Sequence, residues 1–147
     1  MGLPTNAVVA FALGCDMVNA GREIMLSIGC IRAKKCHTDR CPTGVTTQNP
    51  WLTHGLDPGL KVVRAANYLR TLRRDLRNVS VACEVAHPGL LTADDLDILS
   101  GHNVATSMRA VYGYEKGWGL ASAADREEIV RLMDSAFASG TRDRFGD

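Results

Sequence analysis

Cys30, Cys36 and Cys41 stand within twelve consecutive residues, and Pro42-Thr43-Gly44 follows at once. Thiolates are soft ligands that suit iron–sulfur clusters, zinc or cuprous copper. The intervals of five and four residues let one loop wrap its backbone around a ligand. Lys34, Lys35 and Arg40 lie between the thiols and offset their converging negative charge. Pro42 stops the chain behind the last sulfur and shields it. Three thiolates match a cuboidal cluster of about three irons and four sulfides, whereas a four-iron cluster or a closed zinc site asks for four ligands. Zinc could recruit His37 as the fourth, although adjacent residues such as Cys36 and His37 seldom face one centre. Three unligated thiols complete the alternatives.

The other two cysteines, Cys15 and Cys83, sit alone in apolar or helical settings and read as buried structural thiols. Five is an odd count, which argues against a disulfide-stapled secreted domain. Tight clustering in a reducing compartment favours metal over disulfides. The first residues, MGLPTN, lack a basic segment followed by a long apolar one, so the expected location is cytoplasmic. No apolar run approaches the roughly 18–20 residues of a membrane span.

The elements that must position these thiols belong to a chain of 147 residues, one domain's worth by length. With 46% apolar and 22% charged residues, the chain can fill a core. Lys+Arg is 17 against Asp+Glu 16, a net +1, which is not the bulk signature of a nucleic-acid binder. Upstream of the cysteines, 6–13 predicts a helix capped by Asn6 and stopped at Gly14, 16–19 a short strand, and 23–29 a second helix. Residues 30–57 carry no periodicity and predict a long loop that a ligand orders.

Downstream, Asp57 and Pro58 predict a helix start. Val62, Ala65, Leu69, Leu72, Leu76, Val79 and Cys83 then recur at three- and four-residue spacing, one apolar stripe over six turns. Arg64, Arg70, Arg73, Arg74 and Arg77 fall off that stripe, as a solvated face or a contact for an acidic surface or phosphate. His87-Pro88-Gly89 predicts the end of this helix. Thr92 with Asp95 predicts a short helix carrying Leu96, Ile98 and Leu99, and 100–121 an irregular, aromatic-bearing arm. Ser122 with Asp125 opens a last helix that presents Ile129, Leu132, Met133, Ala136 and Phe137 and closes at Gly140, before a disordered tail over 141–147.

The runs ALGCDMVNAGR (12–22), IGC (28–30), KCHT (35–38) and CPTGVTTQ (41–48) resemble the FMN-binding synthase domain of the glutamate synthases. The likeness is strong over about residues 5–55 and weaker to about 90. The resemblance implies an α/β fold: the C-terminal fragment of a (β/α)₈ TIM-type barrel, in this chain mostly α-helical with one short strand and a long cysteine-bearing loop. A complete barrel typically takes ~250 residues, so this chain is expected to be a piece of one. The expected layout is a barrel section over 1–93, with the iron–sulfur loop at 30–57, and a helical extension over 94–147.

The same resemblance implies an oxidoreductase segment that supports reductive amination of 2-oxoglutarate to L-glutamate. Cys30, Cys36 and Cys41 would hold a 3Fe-4S cluster that feeds electrons to FMN. Residues 16–19 would be the final barrel strand, and Gly21 and Arg22 one edge of the FMN phosphate site. Cys15 stands where the family usually has alanine. No catalytic residue is assigned within this chain. The complete enzyme would use ammonia or glutamine as nitrogen source, and a companion barrel chain or an electron donor is the expected partner; no nucleic acid or membrane is. A barrel section cut from its neighbours exposes edges evolved to be covered, so residues 1–29 are expected to associate or be partly disordered. Two other readings use the same cysteines: a non-catalytic iron–sulfur electron-transfer or redox-sensing module, and a zinc-stabilised helical interaction domain.

Overall fold

The computed structural model describes residues 3–101 and 104–138. It is mostly helical, with one small sheet among the described residues. This architecture is compatible with a fragment of an α/β protein. The described residues divide into two compact units, one formed by 19–73 and the other by 3–18 with 74–101 and 104–138.

The second unit holds most of the buried apolar residues. Its first helix, α1 (Pro4–Ala12), starts one turn earlier than the sequence predicts: Leu3 occupies the cap position and Pro4 the first helical position. The fixed φ of proline suits that place better than a polar cap two residues later. Val8 and Ala12 of α1 pack with Leu91, Ala93 and Met108, the last fully buried at 0% exposure. Thus α1, within the segment expected to associate or be partly disordered, contributes Ala7, Val8, Ala10 and Ala12 to the buried residues of this unit. Around that core lie Leu76 and Val79 from the C-terminal part of a long helix, α4 (Pro58–Ala82), and Cys83 just past its end. Cys83 is half-buried there, whereas Cys15, expected to be buried, is exposed just after Gly14. This helix ends at Ala82, before the predicted stop at His87. Glu84 takes the left-handed conformation at φ 58°, and the Val85 amide reaches back to the Ser80 carbonyl at 2.9 Å. That closing bond is the one glycine usually supports at a helix end.

The predicted helix after Thr92 is instead a turn leading into a strand. Asp95 accepts from the Thr92 amide at 2.7 Å, but the chain then extends as β1 (Asp97–Leu99). β1 pairs antiparallel with β2 (Ala105–Ser107), with Ile98 opposite Thr106. Within the predicted irregular stretch, Ser107 caps a short helix, α5 (Met108–Tyr112). The aromatic arm that follows is packed: Tyr114 meets Trp118 edge-on at 6.0 Å and donates its hydroxyl to the Leu13 carbonyl at 3.0 Å. Gly14 and Gly119 make a close backbone approach, since a Cβ on Gly14 would lie 2.5 Å from the Gly119 Cα. The last helix, α6 (Ala123–Ala138), begins as predicted, with the Ser122 hydroxyl accepting from the Asp125 amide at 3.1 Å. Its predicted close at Gly140 and the tail beyond lie outside the described residues.

The strand predicted at 16–19 is not formed. A strand needs a neighbour to satisfy its ladder, and among the described residues these four have none. The first unit therefore begins with α2 (Gly21–Ser27), continues through the cysteine loop and a one-turn helix, α3 (Pro50–Thr53), and ends with the N-terminal part of α4. Asp57 accepts from the Gly59 amide at 3.0 Å, which caps α4 where the sequence predicts. Val62 and Leu69, at the front of the apolar stripe, are 65% and 47% exposed, and the five arginines are exposed as expected. No helix among the described residues is long and apolar enough to cross a membrane.

Candidate functional site

In the first unit the best-buried side chains are those of Cys41 and Thr47, both within the cysteine loop. The loop is folded chiefly by polar bonds. Asp39 is their hub: its Oδ1 accepts from the Gln48 amide at 2.6 Å and from the Thr47 hydroxyl at 2.9 Å. The Thr47 hydroxyl also donates to the Asp39 carbonyl at 2.6 Å and accepts from the Asn49 amide at 3.1 Å. Asn49 in turn caps α3 through the Trp51 amide at 3.0 Å. These bonds hold the Asp39 carboxyl below its ordinary pKa, the Gln48 amide contributing most and the Thr47 hydroxyl next. Gly44 sits at φ +76°, and a Cβ there would meet the Leu52 carbonyl oxygen at 2.5 Å. The Cys-Pro-Thr-Gly turn can therefore close against α3 only with glycine at this position.

The three cysteines border one small pocket, together with Lys34, Lys35 and Pro42. Cys36 is exposed, Cys30 half-buried and Cys41 buried, so the pocket has an outer and an inner thiol. Cys36 enters from a 3₁₀ turn (Cys36–Thr38) that Asp39 terminates in the left-handed conformation. Arg32 and Lys34 are also left-handed, at φ 58° and 55°. Such residues cost roughly 1–3 kcal/mol each and gather where the surrounding structure demands a particular chain path.

The Cys41 thiol lies 3.5 Å from the Thr43 hydroxyl. Its pKa falls from 9.0 to about 6, first through the Thr43 hydroxyl and then through the Thr46 amide. The shift favours the thiolate, the form that binds metal. The Thr46 hydroxyl adds a weaker pull on the same sulfur. Its oxygen is buried, lines the same pocket and makes no hydrogen bond.

Of the cations expected between the thiols, Lys34 and Lys35 border the pocket and Arg40 does not. His37 is exposed and outside the pocket lining, so it does not join the cysteines. Among the described residues no three His, Cys, Asp or Glu side chains converge on a single-ion site. The Gly21-Arg22 turn lies at the start of α2, but the Gly21 amide donates to the Asn19 side chain at 2.9 Å, and Glu23 places an acid in the same first turn. Sequence reasoning missed Asp39, Thr43 and Thr46. The one available signal was the polar string TTQN at 46–49, which includes Thr46 and can bond backbone groups within a loop; nothing comparable marks Asp39 or Thr43.

A helical segment built on a thiol-bearing loop is the class that fold and site define. The region described as "Conserved region in glutamate synthase" matches residues 2–85, which include all three thiols, and the chain belongs to the glutamate synthase family. It is 45% identical over 85 residues to a glutamate synthase large subunit-like protein, YerD, of Bacillus subtilis, covering 58% of this chain and 16% of that protein. It is 35% identical over 74 residues to the archaeal glutamate synthase [NADPH] of Archaeoglobus fulgidus, covering 50% and 14%. A ferredoxin-dependent glutamate synthase 2 of Synechocystis is 31% identical over 99 residues, covering 65% and 6%. The matches thus span less than a fifth of each of these relatives. No solved structure matches.

Proposed function

We propose that this chain is the iron–sulfur section of a glutamate synthase, with Cys30, Cys36 and Cys41 as the ligands of a 3Fe-4S cluster. The observation that carries this reading is the placement of three thiols around one pocket whose lining includes a buried hydroxyl with no hydrogen-bond partner. The donor set fits such a cluster. One thiolate per iron requires sulfurs spread around a pocket rather than converging on a point. A zinc site would need convergence and a fourth ligand, and His37, next to Cys36 in the chain, is exposed and not part of the pocket lining. When bound, a cluster of this kind supplies one-electron storage. In this chain Cys41 provides an inner thiolate, Cys36 an outer one, and Lys34 and Lys35 offset their charge.

In the complete enzyme, we infer, the segment is part of a (β/α)₈ barrel and passes electrons toward FMN for the reductive amination of 2-oxoglutarate. Gly21 and Arg22 are proposed as one edge of the flavin phosphate site. Taken alone this turn does not fit a phosphate, because Asn19 holds the Gly21 amide and Glu23 stands beside it. No flavin-dependent step is therefore derived from this chain. The remaining flavin and 2-oxoglutarate contacts must come from other parts of the enzyme, so the isolated chain is not expected to form glutamate.

Anaerobic reconstitution with iron and sulfide tests the reading. The expected result is about three irons and four sulfides per chain, with a paramagnetic signal of the oxidised cluster. Stoichiometric zinc binding in place of iron, or uptake unaffected by Cys30→Ala, Cys36→Ala and Cys41→Ala together, would overturn it. Saturable quenching of FMN fluorescence by the reconstituted chain would show that the flavin edge binds without the rest of the barrel. Failure to quench leaves the cluster assignment intact and places the flavin contacts elsewhere.

A further inference from the structure

We propose that Thr46 is a hydrogen-bond donor to a sulfur of the group held by Cys30, Cys36 and Cys41, and that it thereby raises that group's reduction potential. The proposal rests on the iron–sulfur reading above. Thr43, Thr46 and Thr47 lie on one short stretch of the loop, yet their hydroxyls have different fates. Thr47 is committed to Asp39 and Asn49. Thr43 already has the Cys41 sulfur at 3.5 Å. The Thr46 oxygen is sealed from solvent, makes no hydrogen bond, and belongs to the lining of the three-thiol pocket.

A buried hydroxyl without a partner is unfavourable, and such an atom in a native fold calls for an explanation. The acceptor this hydroxyl acts on is the Cys41 sulfur, a proposed cluster ligand, with which it makes no hydrogen bond. Sulfide and thiolate sulfurs accept hydrogen bonds, and those bonds help set cluster potentials. Reduction adds negative charge to the sulfurs, so a donor there stabilises the reduced state more than the oxidised one. Thr46 thus favours the reduced form, without ligating metal itself.

The test compares the full chain with Thr46→Val and Thr46→Ser, each reconstituted anaerobically and assayed for iron and sulfide. Thr46→Val keeps the side-chain shape and removes the donor, and Thr46→Ser keeps the donor. Potentials are read from redox titration of the paramagnetic signal. The expected result is a lower potential in Thr46→Val and one close to the parent in Thr46→Ser. If Thr46→Val does not retain the group, Thr46→Ala provides the same reading. Unchanged potentials in loaded hydroxyl-free variants, or an equal fall in Thr46→Ser, would overturn the proposal while leaving the cluster assignment standing. A parent chain that takes up no iron and sulfide would overturn both.

Discussion

Thr47 donates one hydroxyl to two oxygens of Asp39, the carbonyl at 2.6 Å and the carboxylate at 2.9 Å. This pair pins the far side of the cysteine loop, and Asp39 lies between Cys36 and Cys41. The loop should therefore respond to loss of the Asp39 charge. Charge-assisted bonds are about twice as strong as neutral ones. In Asp39→Asn, the Gln48 amide is expected to exchange with solvent roughly three- to tenfold faster. The pKa is lowered in the folded chain, so the stabilisation is complete above the unfolded value of about 3.9 and is lost as pH falls through the folded value. Protection of Gln48 should hold from neutral pH down to about pH 4 and decline only below it. A decline centred near pH 6 would contradict this assignment.

Cys41 offers a second pH-dependent readout. In the metal-free chain its alkylation by iodoacetamide is expected to rise through pH about 6. Cys83, whose pKa burial raises above 9.0, should require a more alkaline medium. Thr43→Val removes the hydroxyl that lowers the Cys41 pKa most and should move its inflection upward. Peptide-resolved mass spectrometry across a pH series measures both thiols in one sample. An inflection that stays in place in Thr43→Val would show that the hydroxyl does not tune the thiol.

What the sequence disclosed and what it hid follow one physical division. Local signals were readable. Asp57-Pro58 and Ser122…Asp125 start helices because each cap is completed within a turn of its own residue. The family resemblance likewise rested on contiguous motifs, and the match over residues 2–85 bears out the family. Non-local pairings were not readable. Thr92 and Asp95 bond to each other whether a helix or a strand follows, and the decision for β1 is made by Ala105–Ser107 across the sheet. Residues 16–19 failed as a strand for the converse reason, lacking a neighbour among the described residues. In the site, cysteine spacing pointed to one loop around one ligand, and the structure brings the three thiols to one pocket. The Asp39 hub spans up to nine residues, with no motif to announce it.

The second unit's core gives a contrast in magnitude. Met108 is fully buried against Val8, Ala12, Leu91 and Ala93. Met108→Ala removes transfer energy and leaves a cavity, for an expected loss of about 2–4 kcal/mol. Tyr114→Phe removes only the bond to the Leu13 carbonyl, for about 1 kcal/mol. Urea unfolding of the two variants beside the parent checks the ranking. Equal losses would show that the Tyr114 hydroxyl contributes far more than one bond.

The stripe on α4 separates two behaviours along one helix. Leu76, Val79 and Cys83 pack against the second unit's core, whereas Val62 and Leu69, one heptad apart, remain open to solvent. Apolar residues left exposed at regular spacing contribute little to the stability of this chain and much to its surface. Val62→Lys with Leu69→Lys is therefore expected to change unfolding free energy by no more than about 0.5 kcal/mol per site. The same pair of changes should reduce binding of an apolar fluorescent dye and any self-association seen by sedimentation. Leu76→Ala, on the packed half, is expected to destabilise by about 2 kcal/mol without lowering dye binding. If the lysine pair were the more destabilising, the front of α4 would be a packed surface, and the division of the stripe would be wrong.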